Sequence, residues 1–371
     1  MSELSKWKTE YLYLAMLNHE RFEPVIGVTL KMGDKPTESA TKLLLLIDYL
    51  NQQHYLYKEL IGIDYIRNII NPDIILYQEP YWSVIPKEYT LLNNMQSLFI
   101  SIGYAFHSLL LPFDHFSEVK MFAWFDCYEN QNTAVSAIEY MKGKRKNILV
   151  TGLPMSEGLL SHNSDPWKPQ NQKKKKIIWA PHHSIGFTYE TITYSCFFEI
   201  CDFMLAIVEK YKDQVQWAFK PHPLLRSKLE LVWGRERVDA YYEKWANMEN
   251  TQFEQGKYVG LFEHSDAMIH DCASFTIEYH YTKKPVMYLV NGKSHIENLN
   301  NFAQEAYKLH YMGNSSNDIE IFVNNVINGV DPLLDSRIHF FDSYLQSPNE
   351  KKASENIINA ILGKSEYQYF S

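Results

Sequence analysis

The sequence predicts an α/β protein of two doubly wound domains, and three observations carry that expectation. The chain has 371 residues, which is long for one ordinary domain and suits two. Short apolar runs of strand character alternate with stretches of helical period, the pattern of parallel sheets covered by helices on both faces. Between residues 156 and 176 the composition turns to Ser, His, Asn, Asp, Pro and Gln and ends in the lysines Lys173 to Lys176, which reads as a connection. The expected division is a first domain over 1–156, a linker over 157–176 and a second domain over 177–371.

The elements follow in order. A helix is expected over 9–17, a strand over 24–30, and a helix over 37–52 with leucines and an isoleucine along one face. Strands follow over 72–77, behind the stop of Pro72, over 97–102, ended by Gly103, and over 147–152. A doubly wound domain usually opens on a strand, whereas this one opens on a helix. Either a first strand is missing or the sheet starts at the second, and the sequence leaves both open. The second half restarts with a strand over 177–180, an amphipathic helix over 194–211, a strand over 216–220 and a helix near 241–248. A short element at 258–261 precedes a strand at 266–270, a strand-to-helix junction over 271–278 and a buried strand at 285–289. A final helix over 350–362 has the length to dock back on the first domain.

Composition narrows the function classes. Apolar residues make up 46% and charged residues 22%, the balance of a globular protein with a sizeable core. The 26 Tyr and 20 Phe suit contacts to sugars or polyols, but such residues more often fill cores. A formal charge of -8 argues against a nucleic-acid partner, which needs many phosphates neutralised, yet permits a small phosphate-bearing ligand. Cys127, Cys196, Cys201 and Cys272 form no C-x-x-C pair and read as reduced thiols. Residues 1–6 lack the apolar core of a signal peptide and no apolar run approaches 18 residues, so a cytoplasmic location is expected. The lysine run, without interleaved aromatics, reads as a solvated strand entry.

Three strand-end segments in the second half are polar in succession: Ala180-Pro181-His182-His183-Ser184, Lys220-Pro221-His222-Pro223 with Arg226, and the junction from Asp271 to Glu278. In open α/β sheets ligands bind outside the carboxyl ends of the strands, where all three should fall. His222, between two prolines, is a candidate catalytic group with a near-neutral titration range; the plainer reading is a strand-end cap. Lys220 and Arg226 offer charge to a diphosphate. Ser274 and Thr276, at the start of a helix, are candidate phosphate contacts, or Ser274 is simply an N-cap aided by Glu278. Glu278 also suits ribose hydroxyls, and Asp271 either orients His222, bonds the acceptor or satisfies loop backbone. His182 and His183 are adjacent, so their side chains should diverge; as a metal pair they are poor, although His183 is a candidate donor-binding residue. With no H-E-x-x-H, D-x-D, Walker or G-x-G-x-x-G motif, neither a metal nor another cofactor is expected.

Through Trp179-Ala180-Pro181-His182-His183, Lys220-Pro221-His222-Pro223 and the segment from Ser265 to Phe275, residues 175–300 resemble the CDP-glycerol glycerophosphotransferase family of teichoic-acid primases and polymerases. The resemblance implies a GT-B fold, two Rossmann-like domains facing across a cleft with the donor held by the C-terminal one. It implies transfer of glycerol phosphate from CDP-glycerol to a hydroxyl of a lipid-linked or polysaccharide acceptor, releasing CMP. It aligns His222 with the family's His-Pro histidine, Asp271 with the junction aspartate and Ser274 with the phosphate-binding serine. Family members often carry His-Gly-Thr after a strand of the first domain, whereas this chain has Ile102-Gly103-Tyr104, with His107 the nearest candidate catalytic histidine. Two further readings stand beside this one: a GT-B glycosyltransferase using a nucleotide sugar, and a degenerate, non-catalytic member of a polysaccharide-synthesis complex. A lipid-linked acceptor would bring peripheral contact with the inner face of the membrane, though no amphipathic anchor is evident.

Overall fold

The structure, a computed structural model, describes residues 1–62, 66, 69–79, 81–110, 115–186, 194–291 and 299–364. It divides into two compact units: Met1–Leu160 together with Leu345–Ser371, and Ser161–Tyr344.

The first unit opens on the helix Glu10–Leu17 and contains strands β1 (Ile26–Val28), β2 (Tyr57–Glu59), β3 (Ile74–Tyr77), β4 (Leu98–Ile102), β5 (Phe125–Tyr128) and β6 (Ile148–Val150). Among the described residues β1 pairs with β2 in a two-stranded sheet, and the other four form a parallel sheet in the order β3-β4-β5-β6. The helix Pro36–Gln52 starts on a proline at its first turn, where the missing N–H costs nothing. Leu43, Leu46 and Leu50 recur on one face and pack with Ile26 and Val28 of β1. β5 escapes the apolar pattern because Asp126 lies in its middle, fully buried. Arg145 compensates that charge at 2.9 Å while also bonding Asn147 and the His115 carbonyl. Burial pushes the Asp126 carboxyl up, but Lys120 and Arg145 outweigh it and hold it below the usual range.

The last segment of the chain belongs to this first unit, which departs from a second domain running to residue 371. The helix Ala353–Ile361 packs against Glu10–Leu17. The buried Glu157 carboxylate accepts from the Ser354 N–H at 2.7 Å and its hydroxyl at 3.0 Å, and Asn356 donates to the Thr151 carbonyl. Of residues 157–176, expected as a linker, those up to Leu160 belong to the first unit and 161–176 are packed into the second. Trp167 is buried there with its indole N–H on the Leu261 carbonyl, and Lys176 pairs with Asp165 at 2.7 Å.

The second unit is one six-stranded parallel sheet with strands β7 (Lys175–Ala180), β8 (Val215–Phe219), β9 (Thr251–Phe253), β10 (Ala267–His270), β11 (Val286–Leu289) and β12 (Tyr311–Gly313). Its order is β12-β11-β10-β7-β8-β9. The chain therefore builds outward from β7 in one direction and then crosses to β10 on its other side. The gap between the carboxyl ends of β7 and β10 is the switch point where such sheets take their ligands. Underneath lies an aromatic core. Trp179 stacks on Phe197 with ring centroids 5.7 Å apart and tilts against Phe219 and Trp245 at 5.0 and 5.3 Å. Much of the aromatic content is thus spent on packing. Among the described residues no helix is long and apolar enough to cross a membrane.

Candidate functional site

All three polar segments leave the carboxyl ends of their strands side by side. After β7 and β8 the two chains remain paired: Lys220 N–H donates to the Trp179 carbonyl at 2.8 Å and His222 N–H to the Pro181 carbonyl at 2.9 Å. That extension carries His222 alongside His182 and His183. The ring centroids of His183 lie 4.2 Å from both His182 and His222, and those of His182 and His222 are 5.2 Å apart. One nitrogen of each ring lies within 4.8 Å of the others. The adjacent histidines therefore do not diverge, contrary to expectation, because the Pro181 turn folds both rings towards the β8 extension.

The partners of the rings decide their chemistry. His182 Nδ1 accepts the Ser184 N–H at 3.2 Å and stands 2.8 Å from the Ser184 hydroxyl, which itself accepts from the Tyr194 N–H. His222 Nδ1 accepts the Leu224 N–H at 3.1 Å. His183 Nδ1 faces the Lys228 ammonium, which can only donate, at 2.8 Å. A neutral imidazole that accepts at Nδ1 carries its hydrogen on Nε2. In this bonding pattern the three Nδ1 atoms are already occupied, and the Lys228 ammonium places a positive charge beside them. N–H donors beside an ammonium suit an anion instead.

Asp271, at the end of β10, is fully buried. It accepts the His182 N–H at 2.5 Å and the Cys196 N–H at 2.8 Å, with the Ser195 hydroxyl also bonded to it. Burial nevertheless pushes its carboxyl up to about 7, more than these donors pull it down. Of the roles open to Asp271, the structure shows the backbone one: it ties the β7 loop to the start of the helix Phe197–Lys210 across the switch point. Beside it, Cys196, Glu199, Leu289, Asn314 and Ser315 line part of a cavity of about 270 Å³.

The remaining expected residues fare differently. Arg226 is held by Asp239 at 2.5 Å and Glu230 at 3.6 Å, over the Tyr242 ring, so its charge is compensated away from the histidines. Thr276 is buried and donates its hydroxyl to the Cys272 carbonyl. Ser274 is exposed and makes no capping bond to the four-residue helix Phe275–Glu278, which corrects the N-cap reading. Glu278 is buried and accepts from the Tyr258 hydroxyl. The buried Lys220 donates to the Gly256 carbonyl, with its ammonium 5.4 Å from the Tyr258 ring centroid. Lys228 was missed, since its approach to His183 depends on how the turn after Pro223 launches the helix Leu225–Trp233.

His107 belongs to the first unit. Glu129, at the end of β5, accepts both its backbone N–H at 3.1 Å and its Nδ1–H at 2.8 Å, while the ring stacks on Tyr128 at 4.1 Å and 7°. Both partners are buried.

Comparison with known proteins gives one family and one fold. The sequence profile of the family CDP-Glycerol:Poly(glycerophosphate) glycerophosphotransferase matches residues 129–363. Curated protein sequences returned no match. Among solved structures, MnaA from S. aureus in complex with UDP is 14% identical with a TM-score of 0.58, covering 97% of this chain and 93% of its own. The UDP-GlcNAc 2-epimerase of Neisseria meningitidis bound to UDP-GlcNAc is 12% identical, with a TM-score of 0.57 and 97% of each chain covered. A variant of the wall teichoic acid polymerase TagF soaked with CDPG is 14% identical, with a TM-score of 0.54, over 96% of this chain and 84% of that one. At these identities the likeness is one of fold, and the fold is GT-B-like.

Proposed function

Because this chain belongs to the CDP-Glycerol:Poly(glycerophosphate) glycerophosphotransferase family, and is a transferase of that kind, we propose that the histidine cluster of its second unit receives the donor diphosphate. The observation that carries the assignment is the tautomer imposed on three adjoining imidazoles, each accepting at Nδ1. His183 and His222, with His182, present N–H donors to phosphate oxygens, and Lys228 adds a charge. Ser274 supplies an exposed hydroxyl from the neighbouring loop. Preorganised donors of this kind stabilise charge that builds on phosphate oxygens during transfer.

The reaction breaks the bond between the β-phosphorus of CDP-glycerol and the oxygen bridging it to CMP. An acceptor hydroxyl oxygen forms the new bond to that phosphorus, its proton passes to a base, and CMP leaves with the electron pair. His222 is poorly placed to be that base, because its Nδ1 lone pair is already taken and Nε2 carries the hydrogen. It is proposed to donate to the phosphate as negative charge develops on the departing CMP. The acceptor is a hydroxyl of a glycan or a lipid-linked polymer, and a lipid-linked acceptor would bring the enzyme to the membrane face. No metal enters this scheme.

Isothermal titration against CDP-glycerol, CMP, UDP-sugars and GDP tests the donor. Binding selective for the cytidine compounds, weakened in His183→Ala, is the expected result. Selective binding of a uridine or guanosine sugar would move the assignment to glycosyl transfer.

A further inference from the structure

We infer that the amino-terminal edge of the four-stranded sheet in the first unit docks on a bilayer surface that carries anionic phospholipid headgroups. The sheet order assembles this edge. β4, β5 and β6 are parallel and successive neighbours, so the residues just before each strand lie side by side at one end of the sheet. Those residues are apolar before β4 and β5 and basic before β6. On the approach to β4, Leu92, Met95 and Leu98 are 77%, 74% and 48% exposed. On the approach to β5, Phe122 is 66% exposed beside the exposed Met121. Large apolar side chains gathered this way on a surface mark a contact with something other than water.

Local geometry explains why they stand open. The helix Glu118–Phe122 ends at Ala123, and the Trp124 N–H then donates to the Phe99 carbonyl at 2.6 Å, which hitches the chain to β4 and leaves Phe122 at the sheet edge. Asn147, just before β6, donates its side-chain amide to the carbonyls of Lys120 and Ala123, both at 2.8 Å. The basic approach to β6 is thereby fastened to the apolar approach to β5. Along it the side chains alternate, with Lys144 and Lys146 exposed and Arg145 turned inward to Asp126. Lys142 is exposed as well, in the turn that leaves the helix Gln131–Tyr140. The ammonium groups of Lys142, Lys144 and Lys146 have no hydrogen-bond or ion-pair partner among the described residues, and Glu139 is the one acid between Gln131 and Asn147. By contrast, Lys42, Lys176, Lys210, Lys212 and Lys308 are each paired with a carboxylate. In a chain of formal charge -8 this edge concentrates uncompensated positive charge.

Charge complementarity selects the occupant. The apolar side chains enter the boundary between headgroups and acyl chains, while the lysines lay their stems along it and keep their ammonium groups among the phosphates. The inference stands on the first unit alone and uses nothing of the donor site.

The test is co-sedimentation of the full chain with vesicles of phosphatidylcholine, alone or mixed with phosphatidylglycerol. Binding to the mixed vesicles, weakened by added salt, is expected. The triple variant Lys142→Gln, Lys144→Gln, Lys146→Gln should lower the partition coefficient about 100-fold, the product of about fivefold for each lysine at an anionic surface. Leu92→Ser combined with Phe122→Ser should lower it about tenfold or more. Both variants should keep the wild-type urea midpoint, which shows that they fold. A polarity-sensitive fluorophore on Phe122→Cys should shift to the blue with mixed vesicles, and one on Leu231→Cys, in the second unit, should not. No binding of the wild type to mixed vesicles, or undiminished binding of both variants, would overturn the inference. Retention of an acidic protein by this edge in place of vesicles would overturn it too. CMP release from CDP-glycerol tests the transfer reading separately, and neither result decides the other.

Discussion

At the residue scale, His183 bears the most direct consequence of the Nδ1 pairing, because its partner is an ammonium group. Lys228→Met removes that donor and the nearby charge together. Loss of one charge-assisted contact is worth about 1.5–3 kcal/mol, so the Kd for CDP-glycerol should rise about tenfold or more, measured by isothermal titration. Arg226→Ala should leave that Kd unchanged, since Asp239, Glu230 and Tyr242 already hold the guanidinium. The pair of outcomes separates the two cations, of which the sequence analysis named only Arg226. The placement of His222 and Asp271 at strand ends was legible because they lie in polar segments whose positions the α/β pattern fixes. Lys228 was not, since its contact with His183 is a product of a turn geometry that no local pattern encodes. The hydroxyl of Thr276 was misread for a related reason: in a sequence a threonine near a helix start looks the same whether it faces a ligand or bonds back to Cys272.

At the scale of elements, the histidines of the β10–β12 side add a pH dependence. His270, His280 and His310 are buried, on β10, on the short 3-10 helix Tyr279–Thr282 and just before β12. His280 and His310 share the Ala306 carbonyl as acceptor. Burial holds all three below the ordinary value of 6.5, His310 at about 4. A histidine whose folded titration point is depressed contributes stability that is fully present above 6.5 and is lost as the pH falls towards the folded value. Between about pH 7.5 and pH 5 the loss for His310 alone should be about 2 kcal/mol, read from urea unfolding. Asp271 runs the other way: its carboxyl, raised from 3.8 to about 7, makes the fold less stable as the pH climbs through that interval. Because Asp271 opposes the histidines over this range, the histidine contribution is read by comparing wild type with His310→Gln: an acid loss of equal size in both proteins would contradict the buried, neutral state of His310. The strands themselves were mostly legible, being short apolar runs between turn residues. β5 was not, because the Asp126 charge at its centre breaks the run and its partner Arg145 comes from beyond the next helix.

For the whole molecule, the chain's return to its first unit is the feature with mechanical consequences. Glu157 receives two hydrogen bonds from Ser354, and burial raises its carboxyl above the usual range. Glu157→Ala leaves the start of the last helix without its acceptor and should cost about 1–3 kcal/mol, measured by thermal or urea unfolding, with Kd for CDP-glycerol unaltered. A helix near the C-terminus was legible from its apolar period, and so was its length. Its attachment to the Glu10–Leu17 helix depends on a contact across more than three hundred residues and was visible only as an option. The two-unit α/β arrangement followed from the chain length and the alternation of strand and helix patterns, and the family from strand-end segments that survive together in one half of the chain. The central claim is that this arrangement transfers glycerol phosphate from CDP-glycerol using N–H donors of the second unit. The direct test is CMP release from CDP-glycerol in the presence of a poly(glycerol phosphate) oligomer, comparing wild type with His222→Ala. The account predicts acceptor-dependent CMP release by the wild type and a loss of about 10²–10³-fold in the variant, the scale of a removed transition-state donor. Equal release by both proteins would contradict it.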